Sequence, residues 1–359
     1  VLLRDCTLNQ GRAWAEAARQ AIEALPPPAE RAGLRVTASF GVAAAQDGEA
    51  ADHVLATAET ACKAAKDRGR NRVEVFAQTD ASLVQRRDDL AIFRDLIAAF
   101  ERNRFVLYAQ PIESLWDPTR PRRHEILIRL RDAGGEPVAP SSFISAATRI
   151  ELLPQLARWV VRRALEMLDP HAAALRARNV AFSINLSGQS LVQPDFADFV
   201  RTALKGAATP AEALVFEFTE SAAISDMPAA QRFIERVGAL GTRFALDDFG
   251  TGFSSLAYLK SLAVSALKID GSFVRDLLTD ARSEGVIRAV LQIAGQLGLD
   301  TVAEYVETPA IAERLRALGV TYGQGFAFGA PVPLESVLAD FAGPRHSAPV
   351  HPTRVALQP

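Results

Sequence analysis

The sequence predicts an α/β protein in which a (β/α)8, TIM-like barrel follows a shorter α/β segment. A chain of 359 residues favours about two domains, and a hydrophobic share of 49% is ample for a large core. After residue 104, apolar runs typical of strands alternate with helical stretches such as Leu156–Leu168, Ala229–Leu240 and Ser283–Leu297. We expect the barrel strands at Phe105–Ile112, His124–Leu130, Val180–Ser187, Leu214–Glu220, Arg243–Asp248, Ala266–Asp270, Asp300–Val306 and Tyr322–Phe326.

The first part of the chain, residues 1–78, shows a strand–helix–strand–helix–strand pattern. Pro26-Pro27-Pro28 stops the first helix. The segment is too short for a complete α/β domain, so we expect part of one. The predicted elements are Val1–Leu3, Gly11–Leu25, Arg35–Ala45, Ala50–Lys66 and Val73–Phe76.

Two further regions flank the predicted barrel of residues 105–342. Ser82–Arg104 has a helical pattern without Pro or Gly, so we expect a helix within residues 79–104 that joins the two domains. Residues 343–359 are rich in Pro and are expected to be a disordered tail.

Composition and charge narrow the class of protein. A net charge of −2 and a pI near 6.3 argue against a broad face that binds DNA or RNA duplexes. Two cysteines, Cys6 and Cys62, favour a reducing compartment such as the cytoplasm. No apolar run approaches the ~18 residues of a membrane span, so we expect no membrane contact from this part. Because the chain begins at Val1, we expect a fragment of a larger signalling protein, which could itself be membrane-anchored.

The most informative stretch is Arg243–Leu256. An apolar strand there ends in two adjacent carboxylates, Asp247 and Asp248, and a glycine-rich turn follows. Neighbouring side chains of a regular strand point to opposite faces. Both carboxylates can therefore serve one site only where the strand gives way to loop, at the end of the strand where barrel enzymes carry their chemistry.

Polar residues occur near the ends of seven consecutive predicted strands, from the second to the eighth. In a barrel these ends converge on one mouth. A single one would be an ordinary loop or capping residue, but the series indicates a site. The residues are Glu125, Asn185, Glu217, Glu220, Asp247, Asp248, Lys268, Glu304 and Gln324.

Electrostatics predicts metal ions at this mouth. The five carboxylates other than Glu220 carry −5 and Lys268 carries +1, which leaves −4. Like charges ~4 Å apart repel by about 4 kcal/mol at an effective dielectric near 20. Two divalent cations would cancel this charge, as in two-metal phosphodiesterases. Oxygen ligands without His or Cys favour Mg²⁺ or Mn²⁺. His124 should face away from the site and pack or lie at the surface.

Sequence motifs over residues 82–341 closely resemble the EAL-domain phosphodiesterases. Glu125-Ile126-Leu127-Ile128-Arg129 is similar to the E-A-L-x-R motif of that family, with Ile in place of Ala. The motif D-D-F-G-T-G-F-S-S-L begins at Asp247. The other matching stretches are Gln110-Pro111-Ile112, Asn185-Leu186-Ser187, Glu217-Phe218-Thr219-Glu220, Lys268-Ile269-Asp270, Ala303-Glu304-Tyr305-Val306-Glu307-Thr308 and Gly323-Gln324-Gly325.

The resemblance implies hydrolysis of cyclic di-GMP to linear pGpG. Glu125, Asn185, Glu217 and Asp247 would hold one metal, and Asp247, Asp248 and Glu304 the second. Direct catalytic roles would fall to Lys268, Glu304 and Glu125, with Lys268 orienting water or neutralising developing charge.

The resemblance also implies substrate contacts and a dimer. Arg129 would clamp a phosphate, and Gln110, Asp270 and Gln324 would contact the substrate or the metal shell. Glu220 would brace the loop Phe249–Leu256, which in the family couples the site to a dimer contact, so a homodimer through the barrel is expected.

Residues 1–78 resemble the second half of a GGDEF (diguanylate cyclase) domain. The matching motifs are V-T-A-S-F-G-V-A from Val36 and A-K-D-R-G-R-N-R-V from Ala65. The turn that binds nucleotide and metal in that family would lie upstream of Val1, so we expect no cyclase activity from this chain.

Besides Ile126, three positions depart from the EAL pattern. Tyr305 replaces the glycine of A-E-G-V-E-T, and strand alternation predicts that its ring points to the outer layer of the barrel. Thr148 and Glu151 replace Glu and Gly of A-E-x-x-G-L, in a region that helps to line the substrate pocket.

Two alternative functions remain open from the sequence. One is a catalytically silent receptor that senses cyclic di-GMP and signals to a partner; such relatives usually lose metal ligands, and this chain keeps them. The other is a metal-dependent lyase of the enolase type, which also uses carboxylates and Lys at strand ends, although the order of the motifs argues against it.

Overall fold

The computed structural model describes residues 1–4, 6–25, 36–45, 51–67, 71–76, 96–132, 134–138, 140–251 and 256–342. The chain separates into two compact units, Val1–Leu90 and Ala91–Pro359. The predicted tail 343–359 and most of the predicted joining helix lie outside the described residues. Across the part that is described, no helix is both long and apolar enough to cross a membrane.

Within its described residues, the N-terminal unit contains two helices and a two-stranded parallel sheet. In order these are α1 (Leu8–Glu23), β1 (Phe40–Val42), α2 (Ala51–Asp67) and β2 (Val73–Val75). Thr7 and Gln10 form a capping box that starts α1. A Cβ on Gly41 would lie 2.1 Å from the carbonyl oxygen of Ala58, so glycine is required where β1 packs on α2.

Two strand predictions in this unit are wrong or too long. Val1–Leu3 forms no strand, and Val1 and Leu2 are fully and largely exposed. The predicted strand Arg35–Ala45 is described from residue 36 onward, and of those residues only Phe40–Val42 is a strand. A strand needs a hydrogen-bonded neighbour, and β2 provides three pairing residues.

The second unit begins with α3, which is described over residues 96–101. The predicted helix to Arg104 ends earlier because Asn103 adopts a left-handed φ of 51°. The amide of Arg104 then donates to the carbonyl of Ala99 at 2.9 Å and closes the helix end. The ring of Phe100 lies 4.8 Å from that of Phe105, which anchors α3 to the first barrel strand.

Eight strands close the barrel in the order β3, β4, β6, β7, β8, β9, β10, β11, and β11 pairs again with β3. The strands are β3 (Phe105–Ser114), β4 (Arg123–Arg131), β6 (Ala181–Asn185), β7 (Leu214–Thr219), β8 (Arg243–Phe249), β9 (Ala266–Ile269), β10 (Asp300–Ala303) and β11 (Tyr322–Gln324). Short β5 (Pro137–Val138) and β12 (Val332–Pro333) pair with β4 and β3 outside the closed ring.

Helices surround the barrel, as the sequence predicts. They are α4 (Pro140–Arg149), α5 (Leu153–Leu168), α6 (Ala172–Arg178), α7 (Gly188–Leu191), α8 (Phe196–Gly206), α9 (Glu220–Ser225), α10 (Met227–Gly238), α11 (Gly271–Arg275), α12 (Ala281–Leu297), α13 (Pro309–Leu318) and α14 (Leu334–Ala342). Three 3₁₀ turns lie at Asp169–His171, Ala211–Ala213 and Leu256–Ser261.

Strand β3 departs from the regular (β/α)8 pattern, because it runs antiparallel to both of its barrel neighbours. Its connection to β4, residues 115–122, contains no helix and is too short for the crossover that a parallel pair requires. The reversed strand pairs Gln110 with Glu125 and so brings Gln110 to the mouth.

Alternation along the strands separates the core from the interior of the barrel. In β7, Phe216 and Phe218 join the main core between the sheet and the helices. Val215 and Glu217 point the other way, and Val215 forms a separate cluster with Ala181, Ala245 and Ala266. These small side chains fill the interior next to the polar residues of the site.

An arginine–aspartate cluster closes the opposite end of the barrel. Arg123 is buried, donates to Asp300 at 2.5 Å and lies 3.9 Å above the ring of Tyr322. Arg120 contacts the same aspartate at 2.9 Å. Asp300 is therefore the shared counter-charge for two guanidinium groups.

We expect Asp300→Asn to lower the free energy of unfolding by about 3 kcal/mol, because it leaves Arg123 buried without a charged partner. Glu166→Gln is the control, since its pair with Arg163 is exposed and contributes well under 1 kcal/mol. Urea unfolding followed by circular dichroism measures both. Equal midpoints for the two variants would contradict the assigned role of Asp300.

Candidate active site

The mouth of the barrel is organised around Lys268 on β9, which is 1% exposed. Its Nζ contacts four carboxylates that different strands deliver. The distances are 2.8 Å to Glu217 Oε2, 2.8 Å to Glu304 Oε1, 3.3 Å to Glu125 Oε2 and 3.3 Å to Asp247 Oδ1. One ammonium thus faces four acids, and the group keeps an excess of negative charge.

Amide side chains fix the carboxylate of Glu125. Asn185 at the end of β6 donates Nδ2 to Oε1 at 2.5 Å, and Gln324 on β11 donates Nε2 to Oε2 at 2.6 Å. Gln324 Nε2 also lies 3.1 Å from Oε1 of Gln110, which in turn donates Nε2 to the carbonyl of Gly329. This chain of hydrogen bonds orients Glu125 toward Lys268.

The environment favours the charged forms of Glu125 and Lys268. Burial opposes ionisation of Glu125, but Lys268 and the amides of Gln324 and Asn185 hold its pKa below the usual value. Burial likewise opposes the ammonium of Lys268, and the carboxylates, Asp247 foremost, raise its pKa well above the usual value. Lys268 therefore stays protonated near neutral pH.

Three other acids of the cluster have raised pKa values when no cation is bound. Burial, assisted by the charges of Glu125 and Asp247, raises the pKa of Glu217 to about 7 and that of Glu304 to about 8. Burial and the neighbouring Asp247 raise the pKa of Asp248 to about 6. One lysine does not balance these groups, so the site has room for further positive charge.

Three carboxylates form a group that can hold a cation. Oxygens of Asp247, Asp248 and Glu304 lie within 4.8 Å of one another. The pairing of β8 with β9 shifts register between Leu246 and Phe249, and Asp248 has a left-handed φ of 53°. We expected the strand to give way to loop at this point. Instead β8 continues to Phe249, and the bulge within it removes the alternation that would send neighbouring side chains to opposite faces. The all-oxygen donor set fits Mg²⁺ or Mn²⁺.

Glu220 lies away from this group, at the start of α9 rather than at the end of β7. Its buried Oε2 accepts a hydrogen bond from the amide of Gly250 at 3.3 Å. This contact fits the predicted bracing of the loop Phe249–Leu256, although residues 252–255 lie outside the described residues.

A cavity of about 400 Å³ opens beside the acids and has a size typical of ligand sites. Of the predicted substrate-binding residues, Gln110, Arg129 and Gln324 line it, whereas Asp270 caps α11 and lies beside Asp248. The lining residues are Gln110, Glu125, Leu127, Arg129, Glu304, Tyr305, Glu307, Gln324, Gly325, Phe326 and Pro331.

Several residues of the cavity wall are not predicted from the sequence. Leu127 and Glu307 lie within the quoted motifs, two or three positions from a predicted ligand, and this spacing could have indicated them. Phe326 is 66% exposed and lies two residues after the last barrel strand ends at Gln324, but an aromatic residue in sequence gives no sign of its exposure.

The orientation predicted for Tyr305 needs correction, because Tyr305 lines the cavity and is 53% exposed. Strand β10 ends at Ala303, so alternation no longer applies. Tyr305 has a φ of 53°, which costs a bulky residue about 1–2 kcal/mol. Its ring packs against α11, where a Cβ on Gly271 would lie 2.1 Å from Cδ2 of the ring.

The other two departures from the family pattern lie elsewhere. Glu151 also keeps a left-handed φ, 55°, where the pattern has glycine. The carbonyl of Thr148 accepts a hydrogen bond from Gln189 Nε2 at 2.9 Å. Neither residue is among those that line the described cavity.

His124 faces away from the acids, as predicted. Its ring stacks on Phe182 with centroids 5.4 Å apart and meets Phe341 edge-on. Burial in this apolar layer lowers the pKa of His124 to about 4, so it packs as a neutral ring.

The fold and the site define a barrel protein with a mouth of carboxylates suited to divalent cations. The chain belongs to the EAL domain family, whose model matches residues 94–331. Residues 1–72 match the model of the diguanylate cyclase GGDEF domain. These matches confirm the two resemblances read from the sequence.

Curated relatives include two bacterial signalling proteins. The chain is 34% identical over 311 residues to the cyclic di-GMP phosphodiesterase PdeB of Shewanella oneidensis. The aligned region covers 87% of this chain and 36% of that protein. It is 34% identical over 312 residues to the bifunctional diguanylate cyclase/cyclic di-GMP phosphodiesterase MucR of Pseudomonas aeruginosa, covering 86% and 45%. The chain thus spans less than half of either relative.

Solved structures confirm the barrel fold. The phosphodiesterase PaMucR in complex with c-di-GMP superposes with a TM-score of 0.64 at 34% identity, covering 69% of this chain and 99% of that one. The FimX EAL domain of Pseudomonas aeruginosa bound to c-di-GMP gives 0.61 at 29% identity, covering 68% and 96%.

We expect Lys268→Met to lower the free energy of unfolding in metal-free buffer by about 3 kcal/mol, because four carboxylates lose their common counter-charge. Mg²⁺ should recover part of this loss. Lys205→Met is the matched control, because Lys205 is an exposed residue of α8 and its substitution should change the free energy of unfolding little. Thermal unfolding with and without Mg²⁺ measures the effect, and a stable, Mg²⁺-insensitive variant would show that Lys268 does not hold the cluster together.

Proposed function

We propose that this chain hydrolyses cyclic di-GMP to linear pGpG in bacterial second-messenger signalling. The observation that carries the proposal is the acid cluster around Lys268, open to a cavity lined by Arg129. The relatives named for cyclic di-GMP phosphodiesterase activity support the choice of substrate.

Two divalent cations, Mg²⁺ or Mn²⁺, are proposed as cofactors. Glu125, Asn185, Glu217 and Asp247 would hold the first, and Asp247, Asp248 and Glu304 the second. When bound, such ions polarise a scissile phosphate and lower the pKa of water. The raised pKa values of Glu217, Asp248 and Glu304 support this assignment, because added positive charge relieves the repulsion.

The side chains of the site have distinct proposed tasks. Lys268 is held as an ammonium, so it cannot accept a proton; it supplies positive charge and hydrogen bonds to developing negative charge. Glu125 and Glu304 contact Lys268 and line the cavity, which supports a role for them in orienting the attacking water.

Substrate positioning is assigned to the polar residues of the cavity. Burial lowers the pKa of the half-buried Arg129 from its usual value. A guanidinium nevertheless stays charged in proteins and can bind a phosphate in bidentate fashion. Gln110 and Gln324 are fixed by their mutual hydrogen bond and lie at the same wall. Asp270, next to Asp248, is better placed for the metal shell than for direct substrate contact.

Hydrolysis of cyclic di-GMP by the purified chain tests the proposal. With Mg²⁺ or Mn²⁺ the chain should release pGpG, and Asp247→Asn should lower kcat by at least about 100-fold, since a bridging metal ligand contributes several kcal/mol to the transition state. Asp276→Asn is the control, because Asp276 is exposed and is not among the proposed metal ligands. Chromatographic separation of substrate and product measures turnover.

Binding of cyclic di-GMP without turnover at any concentration of Mg²⁺ or Mn²⁺ would reject the phosphodiesterase and support the silent receptor. Calorimetry with Ca²⁺, an inert substitute for the catalytic ions, measures binding independently of hydrolysis.

We expect metal binding itself to stabilise the fold. At 100 times the dissociation constant, Mg²⁺ or Mn²⁺ should add about 2.7 kcal/mol, which corresponds to a rise in Tm of roughly 5–10 °C for a unit of this size. Asp248→Asn should abolish most of the rise, whereas Asp276→Asn should preserve it. Differential scanning calorimetry after chelation measures both, and an unchanged rise in Asp248→Asn would remove Asp248 from the ligand set.

We further propose that the chain acts in the cytoplasm as a homodimer formed through the barrel. Both features come from the family resemblance and the cysteine content. Light scattering of the purified chain gives its mass in solution, and a monomer at assay concentration would reject the dimer.

A further inference from the structure

Tyr305 stands where the EAL sequence pattern has glycine, next to the acid Glu304. Its backbone keeps the left-handed φ that suits glycine. Of the six described residues other than Gly with positive φ, four are Asn or Asp, which tolerate this conformation, and the two others are Glu151 and Tyr305. Glu151 lies away from the cavity wall, whereas Tyr305 is part of it. A bulky residue held under strain at a site points to a use for its side chain.

Helix α11 holds the ring of Tyr305 in place. Gly271 allows the ring to lie directly on the backbone, because any Cβ there would clash with Cδ2 at 2.1 Å. The guanidinium carbon of Arg275 lies 4.8 Å from the ring centroid in a cation–π contact. Arg275 is itself fixed by donating Nε to the carbonyl of Gly271 at 3.3 Å. The ring is therefore positioned in the free protein, while Tyr305 as a whole is 53% exposed and forms part of the cavity wall.

The chemistry of this wall selects a flat, uncharged group rather than a phosphate. The face of an aromatic ring is electron-rich and repels anions, and Arg129 in the same cavity offers the site for phosphate. Purine bases stack on aromatic side chains, and the loss of one such ring weakens binding at least about five-fold.

We propose that Tyr305 stacks on a guanine base of cyclic di-GMP and is a substrate-binding residue at a position where the family pattern has glycine. Arg275 is a positioning residue that acts through the ring. This inference rests on the proposed function, because it names how the same site holds its substrate.

Three substitutions at position 305 test the stacking. Tyr305→Phe keeps the ring, Tyr305→Leu keeps the strain without an aromatic face, and Tyr305→Gly restores the family residue. Calorimetry with Ca²⁺ should give a Kd for cyclic di-GMP within two-fold of wild type for Tyr305→Phe and at least five-fold higher for the other two. In turnover assays the same change should appear in KM, with kcat altered less than three-fold. The Tm of Tyr305→Gly should not fall, which separates lost stacking from lost folding.

A double-mutant cycle tests Arg275. Arg275→Gln should raise Kd two-fold or more in the wild-type background and leave it unchanged in the Tyr305→Gly background. An equal effect in both backgrounds would show that Arg275 acts on the ligand directly and would overturn its role as a positioning residue.

The outcomes separate this inference from the proposed function. Unchanged Kd in Tyr305→Gly overturns the stacking, and so does a Tyr305→Phe variant as weak as Tyr305→Gly, since the hydroxyl would then carry the contact. Binding without hydrolysis in the wild-type chain rejects the phosphodiesterase, while the comparison of Kd values still decides the role of Tyr305. A wild-type chain that does not bind cyclic di-GMP overturns both.

Discussion

The contact of one buried ammonium with four carboxylates is the constraint on which this barrel depends. Lys268 lies within 3.3 Å of acids carried by or directly following four different strands and is shielded from water. A charge in that position is stable only if its partners are held close, so the register of every contributing strand matters. The same contact leaves the acids with more negative charge than one lysine can balance. The interaction that holds the acids together at the mouth of the barrel thus also leaves an excess of negative charge that cations can balance.

Irregular backbone supplies what regular strands cannot. The register shift in β8 and the left-handed Asp248 bring two adjacent carboxylates to one group. Reversed β3 places Gln110 beside Glu125, where its amide takes part in orienting the acid. After β10 ends, Tyr305 forms part of the cavity wall while its ring packs on α11. Each feature is a local departure from ideal barrel geometry, and each lies at the site, where strain is most often found in folded proteins.

The two ends of the barrel carry charge clusters of opposite composition. At the mouth, carboxylates outnumber the single lysine. At the other end, Arg120 and Arg123 share Asp300, and the ring of Tyr322 lies against the buried guanidinium. The second arrangement is closed, because its charges have partners within the protein, and it therefore fits a structural role. Small side chains such as Ala245 and Ala266 separate the two clusters.

The sequence by itself determined the barrel, its strand order and the set of acids, because these follow from hydrophobic periodicity and from short motifs within single strands. It could not determine which way β3 runs, whether Val1–Leu3 would find a partner strand, or where the ring of Tyr305 packs. Those outcomes depend on pairing and backbone angles fixed by residues distant in sequence. The four-fold contact of Lys268 and the chain of amides from Gly329 to Glu125 are likewise tertiary. No periodicity within one strand records them, since each joins side chains whose distance is set only when the barrel closes.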